Sequence, residues 1–312
     1  MVKQEQRNAL VEMAQSSMTS SVKGRSPWRD AYIRFWRNKA AVLSVFVLAV
    51  IVLACMVVPS LSPHKLIDSD WGAMSTPPTL QNWHYFGVDD EGRDLLVMSM
   101  HGGRVSILIG LLATLTSVVV GVIWGSVAGF VGGRVDSVMM RIVDMMYAIP
   151  YLLIAILFVT LFGVRFSEIF GNQFGLVVIA ITVFSWMDMA RVVRGQTLSI
   201  KSKEFIEAAR AIGVPTWKIV MRHIVPNLLG VVVIYTSITI PGVILTESVL
   251  SVLGLGVQFP DSSWGSMIGN GIQKLELAPY ILLVPATLLT ITLYCFNYIG
   301  DGLRDALDPK DR

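Results

Sequence analysis

An all-α integral membrane protein with six spanning helices is the fold class this sequence predicts, and three observations predict it. Apolar residues make up 54% of the 312-residue chain against 15% charged, with a mean hydropathy of +0.63, far more apolar than a water-soluble domain. The apolar residues fall in runs long enough to cross a bilayer, about 20 residues each. Between those runs Lys and Arg are shared unequally, and that bias orients the bundle.

The first 26 residues are polar, rich in Ser and Gln, and read as a mobile arm. Ser26-Pro27 then suits a helix start, with Ser as cap and Pro in the first turn. Trp28, Tyr32, Phe35 and Trp36 share one face opposite Arg29 and Arg37, the pattern of a helix lying at headgroup depth on the membrane surface. Spans are expected near Ala40–Val58, Val105–Phe130, Ile142–Gly163, Phe174–Met189, Asn227–Ser248 and Tyr280–Ile299. With the amino terminus inside, 20 of the 25 Lys and Arg residues fall on the inner side, and both termini are cytoplasmic. The chain thus divides into an arm with its interfacial helix (1–39), a membrane domain (40–300) containing a large inner loop (190–226), and a short tail (301–312).

The outer loop from Pro59 to about Gly103 carries Pro59, Pro63, Pro77 and Pro78 and reads as irregular. A turn is expected at Asp89–Gly92 ahead of a short amphipathic helix entering the second span. Asp89, Asp90, Glu91 and Asp94 could in principle hold a metal, but adjacent acids without a fixed scaffold usually cap a helix. His64, His84, His101 and His223 are scattered and none is assigned as a ligand. Cys55 and Cys295 both lie in apolar runs and read as buried hydrophobes rather than a disulfide.

Gly121, Gly125 and Gly129 recur every four residues along the second span, a small-residue seam for a helix of this chain or of a partner. Gly132-Gly133 ends that span, with Asp136, Arg141 and Asp144 in a short turn. Asp188 and Arg191, one helical turn apart, are expected to pair with each other. Glu247 stands near the outer end of the fifth span, either lining a pathway or, as favoured, reaching water at the interface. Pro241-Gly242 interrupts the fifth span and Pro285 the sixth. Such breaks persist where backbone faces protein or a water-filled cavity, so Pro241, Gly242 and Glu247 are the pathway candidates. The segment Leu250–Gly271 reads as re-entrant or interfacial, with Trp264 as its anchor.

The organising stretch is Lys201–Pro226, KSKEFIEAARAIGVPTWKIVMRHIVP. Phe205, Ala208, Ala209 and Ile212 recur at helical spacing, with Lys201, Lys203, Glu207 and Arg210 on the other sides. Gly213 suits a left-handed helix end, and Pro215 the first turn of a second helix carrying Trp217, Ile219, Val220 and Ile224. By pattern alone this is either a docking device or a surface helix-turn-helix packed on its own protein.

Glu207-Ala208-Ala209, Gly213 and Val225-Pro226 resemble the EAA loop of permease subunits of bacterial ABC importers, with His223 and Val225 departing from the commoner Ile and Leu. FGVDDEGRDLL (86–96), with Val88 for the usual Thr, SWMDMARVVRGQTLSIKSKEFIEAA (185–209) and FNYIGDGLRDALDPKDR (296–312) resemble the C-type subunits of the dipeptide, oligopeptide and nickel permease family, its oligopeptide members most of all. That resemblance implies a type I ABC importer permease fold. In it, a cytoplasmic coupling helix is built from Phe205, Glu207, Ala208, Ala209, Ile212 and Gly213 and seats in a groove of an ATPase subunit. It also implies the bacterial inner membrane, a second permease of related fold, two ATPase subunits that bind ATP and Mg²⁺, an external peptide-binding protein, and surrounding lipid. No cofactor and no nucleic acid are expected in this chain.

The letters hold no Gly-x-x-x-x-Gly-Lys-Ser/Thr loop, His-Glu-x-x-His or Gly-x-Ser-x-Gly elbow, which argues against a self-powered pump or a membrane protease. An ion-coupled carrier is disfavoured by mid-spans almost free of charge, and a non-transporting scaffold stays open on pattern. Dipeptides, murein peptides, antimicrobial peptides and nickel remain alternative cargoes.

Overall fold

The structure is a computed structural model and describes residues 27–258 and 260–307. The amino-terminal arm, its cap Ser26 and the last residues of the tail lie outside the described residues. Helix α1 (Pro27–Arg37) begins at the expected proline. Trp28, Tyr32 and Trp36 are exposed, but Phe35 turns inward against Gly302, so the aromatic face is split rather than shared.

Among the described residues, six helices are long and apolar enough to cross a membrane: α2 (Lys39–Leu61), α3 (Leu95–Val131), α5 (Tyr151–Phe170), α6 (Phe174–Lys201), α8 (Thr216–Val252) and α10 (Tyr280–Leu307). Three shorter helices complete the fold: α4 (Gly133–Tyr147), α7 (Glu204–Ala211) and α9 (Trp264–Ile272). Helices α3 and α6 form the most extensive pairing, and α8 packs against both. Burial follows that order: half of the most apolar window of α6 is buried, against 17% for α2 and α5, which therefore lie at the outside of the bundle.

The glycine seam explains the α3–α6 pairing. A Cβ on Gly125 would stand 2.4 Å from the Ala190 carbonyl oxygen, and on Gly121 2.6 Å from Met189 Cβ. Real carbon atoms do not approach so closely, so only hydrogen fits between these backbones. The seam therefore serves a helix of the same chain.

Three span starts differ from the sequence expectation, and the fourth span runs on past Met189 to Lys201. The second span starts ten residues earlier, because Asp94 caps α3 by accepting from the Val97 amide at 2.9 Å. The third does not begin at Ile142. Residues 133–147 form a separate amphipathic helix, the chain breaks at Ala148–Pro150, and the span starts at Tyr151. Pro150 is the cause: it disfavours helical backbone at Ile149 and cannot donate to the preceding turn. The fifth span starts eleven residues before Asn227 and is joined to the inner loop through one π-helical turn, Val220–Ile224. Pro226 lacks the amide that would bond to Arg222, and the Val225 amide instead reaches back to the Val220 carbonyl. Pro241 and Pro285 lie within continuous helices.

The outer loop is ordered by short-range bonds. An antiparallel bridge joins Val88 to Asp94, and Asp89 Oδ1 accepts from the amides of Glu91 (2.9 Å) and Arg93 (2.7 Å), closing the expected turn. Cys55 and Cys295 are both buried and unbridged.

Candidate functional site: an inner docking helix and a broken-helix cavity

Helix α7 starts at Glu204, with Glu204 and Glu207 in its first turn and Arg210 in its last, as the helix dipole favours. It ends through paired bonds from the amides of Gly213 to Arg210 (2.9 Å) and Val214 to Ala209 (3.1 Å), with Gly213 at φ +79°. A side chain at that φ is strained, which is the physical need for glycine. Pro215 precedes the next helix as its cap rather than occupying its first turn.

The face that α7 buries is set by Ile206 and Ala209, which join Phe130, Ile219 and Ile224 in one cluster. Ile206 is fully buried and was not singled out by spacing; its i, i+3 relation to Ala209 is the signal that could have found it. Phe205 (45% exposed), Ala208 and Ile212 (79% exposed) face outward, as do Glu207 and Gly213. Of the six candidate docking residues, five are exposed and Ala209 alone is buried. Arg210 of α7 lies over the Phe130 ring at 4.7 Å, fastening α7 to the carboxyl end of α3, and Lys201 of α6 lies over the same ring at 5.8 Å.

A second feature opens where α4 breaks from α5. A cavity of about 640 Å³ lies there, lined among others by Tyr147, Pro150, Phe184, Asp188, Tyr235 and Gly242. Helix α4 runs antiparallel to α6 and is tied to it three times. Asp136 accepts from Nε and Nη2 of Arg194 (2.5 and 2.6 Å), Asp144 pairs with Arg191 (2.7 Å), and the Tyr147 hydroxyl donates to Asp188. Arg191 also sits over the Tyr147 ring at 4.0 Å. Asp188 and Arg191 therefore do not pair with each other: each finds its partner on α4, which the sequence reading divided between a turn and the start of the third span. The Arg194 hydrogen bonds hold the Asp136 carboxyl below the usual carboxylate range. Burial and the Asp188 carboxylate push the Tyr147 phenol up, so it stays a protonated donor.

The three pathway candidates separate. Gly242 lines the cavity, whereas Pro241 is buried. Glu247 neither reaches water nor lines the cavity. It is fully buried and accepts from Ser251 (2.6 Å) and Ser106 (3.2 Å), fastening α8 to α3. Trp264 is likewise no interfacial anchor: it is fully buried, donating its indole N–H to the Ser99 carbonyl at 2.8 Å.

Each acid of the 89–94 stretch meets a basic or imidazole side chain of the same chain. Asp89 and Glu91 bind Arg93 at 2.7 and 2.9 Å, Asp90 binds Lys274 at 2.9 Å, and Asp94 meets His84 Nδ1 at 2.8 Å. The histidines are less scattered than their spacing suggests. His64 and His84 stack with centroids 4.4 Å apart, and with Asp94 they bring potential ligand atoms within 4.8 Å of one another. The rings lie 22° from parallel, so their in-plane lone pairs do not converge well on one ion, and the pair serves to staple the loop over the start of α3.

The all-helical six-span body has the fold class of a type I ABC importer permease, as the family and structural matches show. Residues 121–312 match the binding-protein-dependent transport system inner membrane component family, and residues 26–78 the N-terminal membrane domain of oligopeptide transport permease C. The chain belongs to this binding-protein-dependent permease family, in the branch of the oligopeptide permease C proteins. It is 53% identical to the oligopeptide transport system permease protein OppC of Salmonella typhimurium, over 93% of this chain and 94% of that one. It is 40% identical to OppC of Bacillus subtilis (94% and 92% covered) and 39% to the dipeptide permease DppC of the same organism (91% and 86%). The fold also resembles an inward-facing structure of the MetNI methionine ABC transporter at 19% identity, with a TM-score of 0.55 over 68% of this chain and 96% of that one. A permease of this class is a multi-pass transport subunit that works with ATPase and second permease subunits.

Proposed function

We propose that this chain forms half of the translocation pathway of an ATP-driven oligopeptide importer, with both termini and α7 on the cytoplasmic side. Its partners in this reading are one homologous permease, two ATPase subunits that hold ATP and Mg²⁺, and an external peptide-binding protein that delivers cargo. The chain itself holds no cofactor. The observation that carries the reading is α7: Phe205 and Ile212 stand in water beside Ala208 and a left-handed Gly213, an apolar surface that its own protein does not cover. Closure of the ATPase pair moves α7, the Arg210–Phe130 contact carries that motion into α3, and the bundle opens outward; hydrolysis resets it.

Relatives at 53% identity are named for oligopeptides, which supports the larger cargo, while the oligopeptide and dipeptide relatives of Bacillus subtilis match almost equally at 40% and 39%. The test is uptake of a labelled tripeptide by cells lacking this chain. Restored uptake that requires the ATPase subunits supports the reading. Restored uptake that persists without them, driven by a proton gradient, would point to an ion-coupled carrier instead.

A further inference from the structure

The cavity at the α4–α5 break has a chemistry of its own. Asp188 is the one charged side chain lining it, and the remaining wall is aromatic, hydroxylic and aliphatic, with Tyr147, Tyr151, Phe184 and Tyr235 contributing rings. Its volume falls within the range of small-molecule sites, about 300–1,000 Å³. Arg191, one helical turn further along α6, is already committed to Asp144 and to the face of Tyr147. Among the described residues Asp188 accepts one hydrogen bond, from the Tyr147 hydroxyl, and forms no ion pair. A carboxylate has acceptor sites for several donors, so capacity remains. Helix α4 ends at Tyr147, and its carboxyl end adds partial negative charge at the same place.

One carboxylate, a ring-lined wall and the negative end of an interrupted helix form the environment that stabilises a compact cation. From these features we infer that the Tyr147–Asp188 corner is a transit site for the free α-ammonium group of a peptide crossing the membrane. This rests on the importer reading and sharpens it: the pathway itself, and not the binding protein alone, then favours cargo with a free amino terminus. Tyr147 acts as a positioning residue, holding one oxygen of Asp188 so that the other faces the cavity. A side chain fixed this way loses less freedom when the ammonium arrives.

The experiment uses the complete transporter in proteoliposomes with its binding protein, and two cargoes: trialanine and its desamino analogue, in which hydrogen replaces the α-ammonium. Each variant is compared with wild type on the same cargo, so delivery by the binding protein cancels. D188N is expected to slow trialanine uptake by about tenfold and the desamino analogue by less than about twofold, as for loss of one charge partner. D188E, which keeps the charge, is expected to retain more than half of the trialanine rate. Equal slowing of both cargoes would make Asp188 a structural residue and overturn the assignment, as would no slowing of either. Should D188N assemble poorly, D188S carries the same comparison, with the desamino rate as the control for assembly. Wild-type trialanine uptake that continues without the ATPase subunits would sink the importer reading, a failure distinguishable from loss of the cargo difference alone.

Discussion

Residues 86–96 and residues 201–226 are both rich in charge, yet they handle it in opposite ways. In the first stretch, Asp89, Asp90, Glu91 and Asp94 each find a cationic or imidazole partner within the chain, and Val88, Asp89 and Asp94 are buried. In the second, Lys203, Glu204, Glu207 and Arg222 have no ion-pair partner among the described residues, and Phe205, Ile212, Trp217 and Met221 stand exposed beside them. The first stretch satisfies its charges alone, whereas the second has the composition of half an interface. Charge density in the sequence does not separate the two; what each charge touches does.

Four substitutions would break or sharpen that contrast. Arg93→Ala strands the buried Asp89 carboxylate and should lower the stability of the assembled protein by about 3 kcal/mol, read as a fall in its thermal midpoint in detergent. If the first stretch were as loosely held as the second, the midpoint would not move. Gly213→Val forces a β-branched residue to φ +79° and should cost about 2 kcal/mol locally. The bundle should still insert, while ATP hydrolysis by the assembled complex no longer tracks uptake. Ile212→Asp places a charge on the exposed edge of α7; uptake should fall by about tenfold with the thermal midpoint unchanged. A midpoint that drops with uptake would mean that Ile212 packs on its own chain. Smallest is Asp136→Asn, at about 0.5–1 kcal/mol, because Arg194 is partly exposed. The native carboxyl is held below its unfolded value, so its contribution is complete above about pH 4 and is lost as pH falls through the folded value. The variant should lack that acid-dependent fall in midpoint.

What the sequence made legible follows from range. The six apolar runs, the Pro27 helix start, the Gly213 turn and the exposed Phe205 and Ile212 depend on composition and on neighbours within one or two helical turns. Helix α4 was lost because Asp136, Arg141 and Asp144 were read as a turn and the residues from Ile142 as the start of the third span, although Pro150 disfavours helical backbone just before it. The partners of Asp188 and Arg191 lie 41 and 47 residues away, and Ser106 reaches Glu247 across 141 residues, so no local rule could pair them. For the same reason Glu247 and Trp264 looked interfacial and are core. The stacking of His64 on His84 depends on a loop whose path only the fold reveals.

The central claim is that α7 presents a docking surface to an ATPase subunit on the cytoplasmic side. The most direct test is a photoactivatable thiol label on Ala208→Cys, a position that is exposed while Cys55 and Cys295 are buried. In membranes holding the complete transporter, the label should form an adduct with the ATPase subunit whose yield changes when ATP is added. Adducts with this chain or lipid alone, or reaction of the cysteine with an impermeant reagent applied outside intact cells, would contradict it.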